Sequence, residues 1–191
     1  IARFRNRVFV RVAPNLAGYY VAEYIFRVWD DSTGVEIENV VLHPIYEAGF
    51  RIDEDAENTV IRNVSIIGPG DRGMTAFART QVLVENCIFQ NFEYGIRNSA
   101  NTVEERYNCF EGVSIPTYGF EMSNTDLVGS TGIELPDFLP PAGSIVVDAG
   151  NPFGEWNLDG TPPDIGAVTR YSRSNSRIHW SGRYPAHFSA W

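Results

Sequence analysis

The sequence predicts an all-β parallel β-helix, a solenoid with about 23 residues per coil, and three observations carry that prediction. A six-residue pattern recurs, an asparagine keeps one place in it, and a glycine column runs in step with it. The segments Ile37-Glu38-Asn39-Val40-Val41-Leu42, Ile61-Arg62-Asn63-Val64-Ser65-Ile66 and Val84-Glu85-Asn86-Cys87-Ile88-Phe89 all read apolar, any, Asn, small apolar, any, large apolar. Arg106-Tyr107-Asn108-Cys109 repeats the pattern imperfectly, so Asn39, Asn63, Asn86 and Asn108 recur at spacings of 24, 23 and 22. Gly49, Gly73, Gly95 and Gly119 form the second column. Self-similarity at a fixed period is the signature of stacked repeats, and two columns in step make coincidence a poor account of it.

The chemistry of the pattern supplies the geometry. Ile37 and Asn39 share a parity along a strand, whereas Val40 and Leu42 fall on the other, so the apolar face changes phase at the asparagine. A strand that keeps pointing inward can do this only by bending there. Asparagine tolerates the left-handed backbone such a corner needs, and its amide can bond to the same amide in the next coil. The glycine column is expected to mark another corner by the same logic. Apolar spacing of three and four, which stacked helices would need, is absent.

Stacking also makes outward columns legible. Glu38, Arg62 and Glu85 should form a ladder of alternating charge, and Arg97 should pair with Glu121 on another face. Such surface pairs are worth about 0 to 1 kcal/mol each and support register. Cys87 and Cys109 fall in the inward column after the asparagine and are expected as stacked neighbours. At a coil spacing of about 4.8 Å, slightly beyond ordinary disulfide reach, two buried thiols are favoured over a bridge.

Length and charge bound the rest. The 191 residues, 43% of them hydrophobic, suffice for one domain with a real core. No run approaches the roughly 18 to 20 apolar residues of a membrane span, and Ile1 to Arg11 lacks the apolar core of a signal peptide. A net charge of −9 argues against broad nucleic-acid binding. All 15 basic residues are arginine; Arg3, Arg5, Arg7 and Arg11 open the chain, Arg170, Arg173, Arg177 and Arg183 close it, and every acid lies between. Three regions are expected: N-terminal strands or a cap over 1–34, the solenoid over 35–170, and an aromatic, basic tail over 171–191. That tail carries Tyr171, Trp180, Tyr184, Phe188 and Trp191. It either folds back on its own solenoid or contacts another subunit.

The repeat resembles the right-handed parallel β-helix proteins of the pectin-lyase-like class, found in polysaccharide-degrading enzymes, bacterial surface proteins and phage tailspikes. Val147-Asp148-Ala149-Gly150-Asn151-Pro152, followed by Leu158-Asp159-Gly160-Thr161-Pro162-Pro163-Asp164-Ile165-Gly166-Ala167, is similar to the closing segment of many bacterial and phage-associated members. That segment marks the fold and names no activity. Asn124-Thr125-Asp126 matches the first motif of polygalacturonase-like glycosidases, which use paired aspartates, but no Asp-Asp pair or Gly-His-Gly follows, and a turn is the better reading. Lyase-like chemistry needs calcium on a carboxylate cluster. Asp53, Glu54, Asp55 and Glu57 offer one, with Arg79 one coil away, yet a solvated acidic loop is favoured. Asn157, Asp159 and Asp164 could supply oxygen ligands in the same way, though prolines and a glycine there favour a structural turn. Glu104-Glu105-Arg106 breaks the inward pattern, which sometimes marks a working site and more often a bulge or register change. His43, His179 and His187 show no metal spacing, and Asn63 of the Asn63-Val64-Ser65 glycosylation pattern is needed at its corner.

The reading that best joins these features is a structural or assembly protein, an extracellular, cell-surface or virion β-helix that forms homo-oligomers as a spike, decoration or filament. The tail aromatics would make its contacts. The alternative is a polysaccharide lyase, glycoside hydrolase or carbohydrate-binding β-helix with Tyr94, Tyr118 and Trp156 as sugar platforms. No catalytic or metal residue is assigned, and calcium is the one cofactor the carboxylates would suit. A fold that hosts many activities does not choose between these.

Overall fold

The computed structural model describes residues 2–3, 8–10, 25–28, 32–77, 79–99, 102–134, 138–154, 156–157, 160–167 and 177–179. These contain thirteen strands in one sheet: β1 (Ala2–Arg3), β2 (Val8–Val10), β3 (Phe26–Val28), β4 (Glu36–Leu42), β5 (Ala48–Ile52), β6 (Thr59–Ala76), β7 (Val82–Glu85), β8 (Ile88–Asn98), β9 (Val103–Arg106), β10 (Cys109–Glu111), β11 (Ile115–Tyr118), β12 (Leu127–Val128) and β13 (Arg177–His179). Every pairing is parallel except those of β13, which runs antiparallel to β1 and β4. This is the coil-on-coil ladder that the repeat predicts.

The first corner forms for the predicted reason. Asn39, Asn63 and Asn86 sit at φ of 58°, 51° and 54°, the left-handed region that asparagine tolerates. The side chains past the bend then stack inward as Leu42, Ile66, Phe89 and Phe110. All four are fully buried, and the rings of Phe89 and Phe110 stack 5.3 Å apart at 13°. Phe26 on Phe50 repeats the arrangement on another wall, at 5.3 Å and 19°.

Three expectations fail at the fourth coil for one reason: its register partners lie 21 residues apart, as in Glu85 with Arg106 and Arg97 with Tyr118. The corner falls on Tyr107, at φ 55°, instead of Asn108. Asn108 turns inward above Cys87, is fully buried, and spends its amide on Cys87 N, Val84 O and Glu105 Oε2. Cys109 accordingly stacks on Ile88 and not on Cys87. Both thiols are free and buried, as expected, but Cys87 lies inside the solenoid whereas Cys109 lies in a second cluster on its outer face. Burial pushes both up to about 12, so neither is a thiolate at neutral pH. Arg97 meets the ring of Tyr118, 5.7 Å from its centroid, in the place expected for Glu121.

The glycine column is real over three coils and has a different cause. Gly49 pairs with Gly73 and Gly73 with Gly95, but Gly95 meets Pro116, and Gly119 falls outside the column. None of the first three is a left-handed corner. They are close approaches: a Cβ on Gly73 would stand 2.3 Å from the Phe89 ring and 2.7 Å from the Gly95 carbonyl oxygen. The missing side chains leave the volume that Ile66, Phe89 and Phe110 fill.

The two ends of the solenoid are finished differently. At the N-terminal end β4 is covered by β13 along Glu36–Glu38 and by β2 along Val40–Leu42, while β3 covers β5. A segment of the tail, 177–179, thus folds back on its own chain; Tyr171, Trp180, Tyr184, Phe188 and Trp191 lie outside the described residues. At the C-terminal end the described residues of 131–134, 138–154 and 160–167 double back over the outer face. Ile133, Phe138, Val146 and Ile165 cover the outward column of Val41, Ile88 and Cys109, and Gly166 and Ala167 donate their N–H groups to Asn86 O and Ser65 Oγ.

Candidate functional site

Along the coils the outward column just before the asparagine corner is a continuous ion-pair ladder. Arg62 donates through Nη1 to Glu38 at 2.9 Å and through Nε to Glu85 at 3.1 Å. Arg106 extends the ladder, reaching Glu85 at 2.6 Å and Glu104 at 2.7 Å. The predicted alternation is therefore present and one rung longer. Its centre is not a surface position. Glu85 is only 3% exposed, because Asn151 of the closing segment lies over it and donates Nδ2 to Oε2 at 2.8 Å, while Asn151 N donates to Asn86 Oδ1 at 2.8 Å.

Ladder, corner asparagines and closing segment together wall a groove of about 680 Å3, within the range of ligand-binding clefts. Glu38, Arg62, Arg106, Asn63 and Asn151 line it, and Phe153 stands at its rim. Phe153 is 91% exposed, the most exposed large apolar side chain among the described residues. Trp156, at 55%, sits beside it in sequence, with Nε1 bonded to Pro152 O at 2.9 Å. Carboxylates, guanidinium groups and amides alternate here, so donors and acceptors both face the groove at the coil spacing of about 4.8 Å.

A second site joins two sequence features that had looked unrelated. Glu105 ends the inward column of Ile37, Ile61 and Val84 and is buried there. It accepts from Ser123 N at 2.6 Å and from Asn108 Nδ2 at 3.0 Å. Asp126, from the glycosidase-like triplet, accepts from Asn108 N at 2.7 Å. Its other oxygen is buried and, as a carboxylate, has no donor to meet. As a carboxylic acid it donates to Glu105. Burial and the neighbouring Glu105 push Asp126 up to about 9, so Asp126 keeps its proton at neutral pH. The arrangement satisfies the N–H groups that the last coil would otherwise leave open. It caps the core and does not face the groove.

The remaining candidates are distributed as follows. Tyr94 and Tyr118 are brought together edge-on, 5.6 Å between centroids, on a wall away from the closing segment that carries Trp156. The acidic loop divides: Asp53 is buried between Arg27 and Arg51, whereas exposed Glu54 and Asp55 pair with Arg79 at 3.1 and 3.0 Å, one coil away as the spacing implies. Asp164 is buried and accepts from Asp148 N and Asn157 Nδ2, the bonding of a turn; Asp159 lies outside the described residues. Among the described residues no group of three or more His, Cys, Asp or Glu side chains could hold a metal ion, and no helix is long and apolar enough to cross a membrane. His43 packs edge-on to Phe138 at 5.5 Å, and Ser65 of the glycosylation pattern is buried beneath Ala167. The side chain of His179 and the whole of His187 lie outside the described residues. Phe153 had no sequence signal beyond being an aromatic residue among turn formers.

The model of the right-handed beta helix region family matches residues 27–134, more than half of the chain. The match begins at β3 and ends just past β12, so it covers the stacked coils. The chain belongs to the right-handed β-helix family. No curated protein and no solved structure matches this β-helix. Family membership fixes the scaffold, and function comes from sites built on it.

Proposed function

We propose that this β-helix binds an extended polysaccharide in the groove between the ion-pair ladder and the closing segment, as a recognition module at a cell or particle surface. The observation that carries this reading is Phe153, an aromatic ring held almost wholly in water at the rim of a cleft walled by paired Glu, Arg and Asn side chains. An exposed aromatic face suits the C–H face of a sugar ring, and the mixed donors and acceptors suit hydroxyl groups better than a uniformly charged polymer. The test is calorimetric titration with soluble oligosaccharides from bacterial and plant cell walls. The wild type is expected to bind a subset, Phe153→Ala to weaken that binding at least about tenfold, the loss of a well-placed aromatic contact, and Tyr118→Ala to leave it unchanged. Absence of binding to every oligosaccharide, or an unaffected Phe153→Ala variant, overturns the reading.

A second reading, homo-oligomeric assembly into a spike, decoration or filament, is favoured by one observation. The inward column of Leu42, Ile66, Phe89 and Phe110 ends in Val128, which is 62% exposed on β12, a strand that among the described residues pairs with β10 alone. An uncovered core column at an open edge is a surface for stacking. Light scattering is expected to show a particle larger than one chain that becomes a monomer in Val128→Arg; a monomeric wild type at all concentrations removes this reading.

A further inference from the structure

We propose that a different wall of the solenoid, at Arg51, Arg72 and Thr75, binds a tetrahedral oxyanion such as a sulfate or phosphate group. In-register stacking sets Arg27 against Arg51, Arg51 against Thr75, and Thr75 against Arg97. Like charges in adjacent coils stand about 4.8 Å apart and repel unless an anion lies between them. The chain supplies such an anion once. Asp53 accepts from Arg27 with one carboxylate oxygen and from Arg51 with the other, its side chain only 4% exposed.

The next interval up the wall, between Arg51 and Arg97, has no such carboxylate. Thr75 stands there, 7% exposed, with a buried hydroxyl that meets no hydrogen-bond partner. A pocket of about 260 Å3 opens beside it, lined by Thr75, Arg51, Arg72, Phe77 and Glu47. Arg51 is oriented, its guanidinium 4.6 Å from the Phe77 ring centroid and its Nε held by Asp53; Arg72 is held through Nε by Asp71. Two fixed guanidinium groups therefore face the pocket; Glu47 is the carboxylate in its lining, while Asp53, shared with Arg27, and Asp71 hold the guanidinium groups through Nε and leave their other N–H groups to a guest. Planar guanidinium pairs match the oxygens of a tetrahedral anion, and the threonine hydroxyl supplies a further donor. That four of the 15 arginines, Arg27, Arg51, Arg72 and Arg97, gather on one wall of a chain of net charge −9 agrees with an anionic guest.

The test is isothermal titration of the intact chain with sodium sulfate, ionic strength held constant with sodium chloride. Wild type is expected to saturate. Arg72→Gln should weaken binding at least about tenfold and Thr75→Val, which keeps the side-chain shape, about threefold to tenfold. Circular dichroism shows whether each variant is folded, and the shape-preserving Thr75→Val decides the matter if Arg72→Gln is not. A second arm compares inorganic sulfate and phosphate with glucose 6-sulfate and with glucose. Tighter binding of glucose 6-sulfate assigns the pocket to an esterified sugar, and equal affinity assigns it to the free anion. Phe153→Ala should bind sulfate as wild type does, which separates this pocket from the groove. The proposal is overturned if none of these anions saturates the protein, or if wild type and both variants bind sulfate equally.

Discussion

Replacing Asp126 by Asn is expected to remove a pH dependence from the stability of the fold. The folded state keeps a proton on Asp126, which is raised from 3.8 to about 9 chiefly by burial. A carboxyl group raised on folding stabilises fully below its unfolded value, near 4, and that contribution is lost as pH climbs toward 9. The slope for one such group is at most about 1.4 kcal/mol per pH unit, and less here because the pair lies partly within reach of water. The asparagine introduced by Asp126→Asn copies the protonated acid: its oxygen accepts from Asn108 N, and its amide donates to Glu105 at every pH. Urea unfolding at pH 5, 7 and 9 should show wild type losing several kcal/mol relative to Asp126→Asn across that range, with the two close together at pH 5. Comparing the two proteins cancels the titrating groups that do not interact with Asp126; the Cys109 thiol, raised mainly by burial and only in part by the Asp126 charge, differs between them by that smaller part. Parallel stability profiles would mean that Asp126 does not hold a proton in the cap.

The acid pair also marks how far the sequence could be read. Each half stood out alone, Glu105 as an acid at an inward position and Asp126 in a catalytic-looking triplet. Nothing in a period near 23 joins them, because Asp126 belongs to the coil after Glu105, where register partners stand only 18 residues apart, as in Cys109 with Leu127. The tightening to 21 residues one coil earlier hid the last corner. Asparagine is the residue expected at positive φ, and Tyr107 is not, so local propensity points to Asn108. Three hydrogen bonds inside the core outweigh that preference and turn Asn108 inward. The glycine column was legible as a column but not in its cause, since a close approach to an aromatic ring and a left-handed turn both demand glycine. Strand order, the first three corners and the charged ladder depend on spacing within a coil and were readable. The groove was not, because its second wall arrives from 65 residues away, where Asn151 meets Glu85 and Asn86.

That long-range contact makes Glu85 the side chain on which ladder and groove jointly depend, and Glu85→Gln is expected to cost about 3 kcal/mol of stability, the lower end for losing one partner of a buried ion pair. The carboxylate accepts from Arg62, Arg106 and Asn151 at 3.1, 2.6 and 2.8 Å. Glutamine keeps the volume and one oxygen, but its NH2 must then point at a donor, leaving at least one guanidinium or amide without an acceptor in a place water barely reaches. Glu38→Gln is the control. Glu38 occupies the end of the same ladder, accepts a single bond from Arg62 and is more exposed, so its loss should cost less than about 1 kcal/mol. Urea unfolding compares the two, and limited proteolysis of residues 138–167 reports whether the closing segment has come away. If both variants lose the same stability, Glu85 contributes no more than a surface rung. If Glu85→Gln alone is destabilised and its closing segment is cleaved first, the ladder is what fastens the second wall of the groove, and saccharide binding should fall with it while sulfate binding at the Arg51–Arg72 pocket persists.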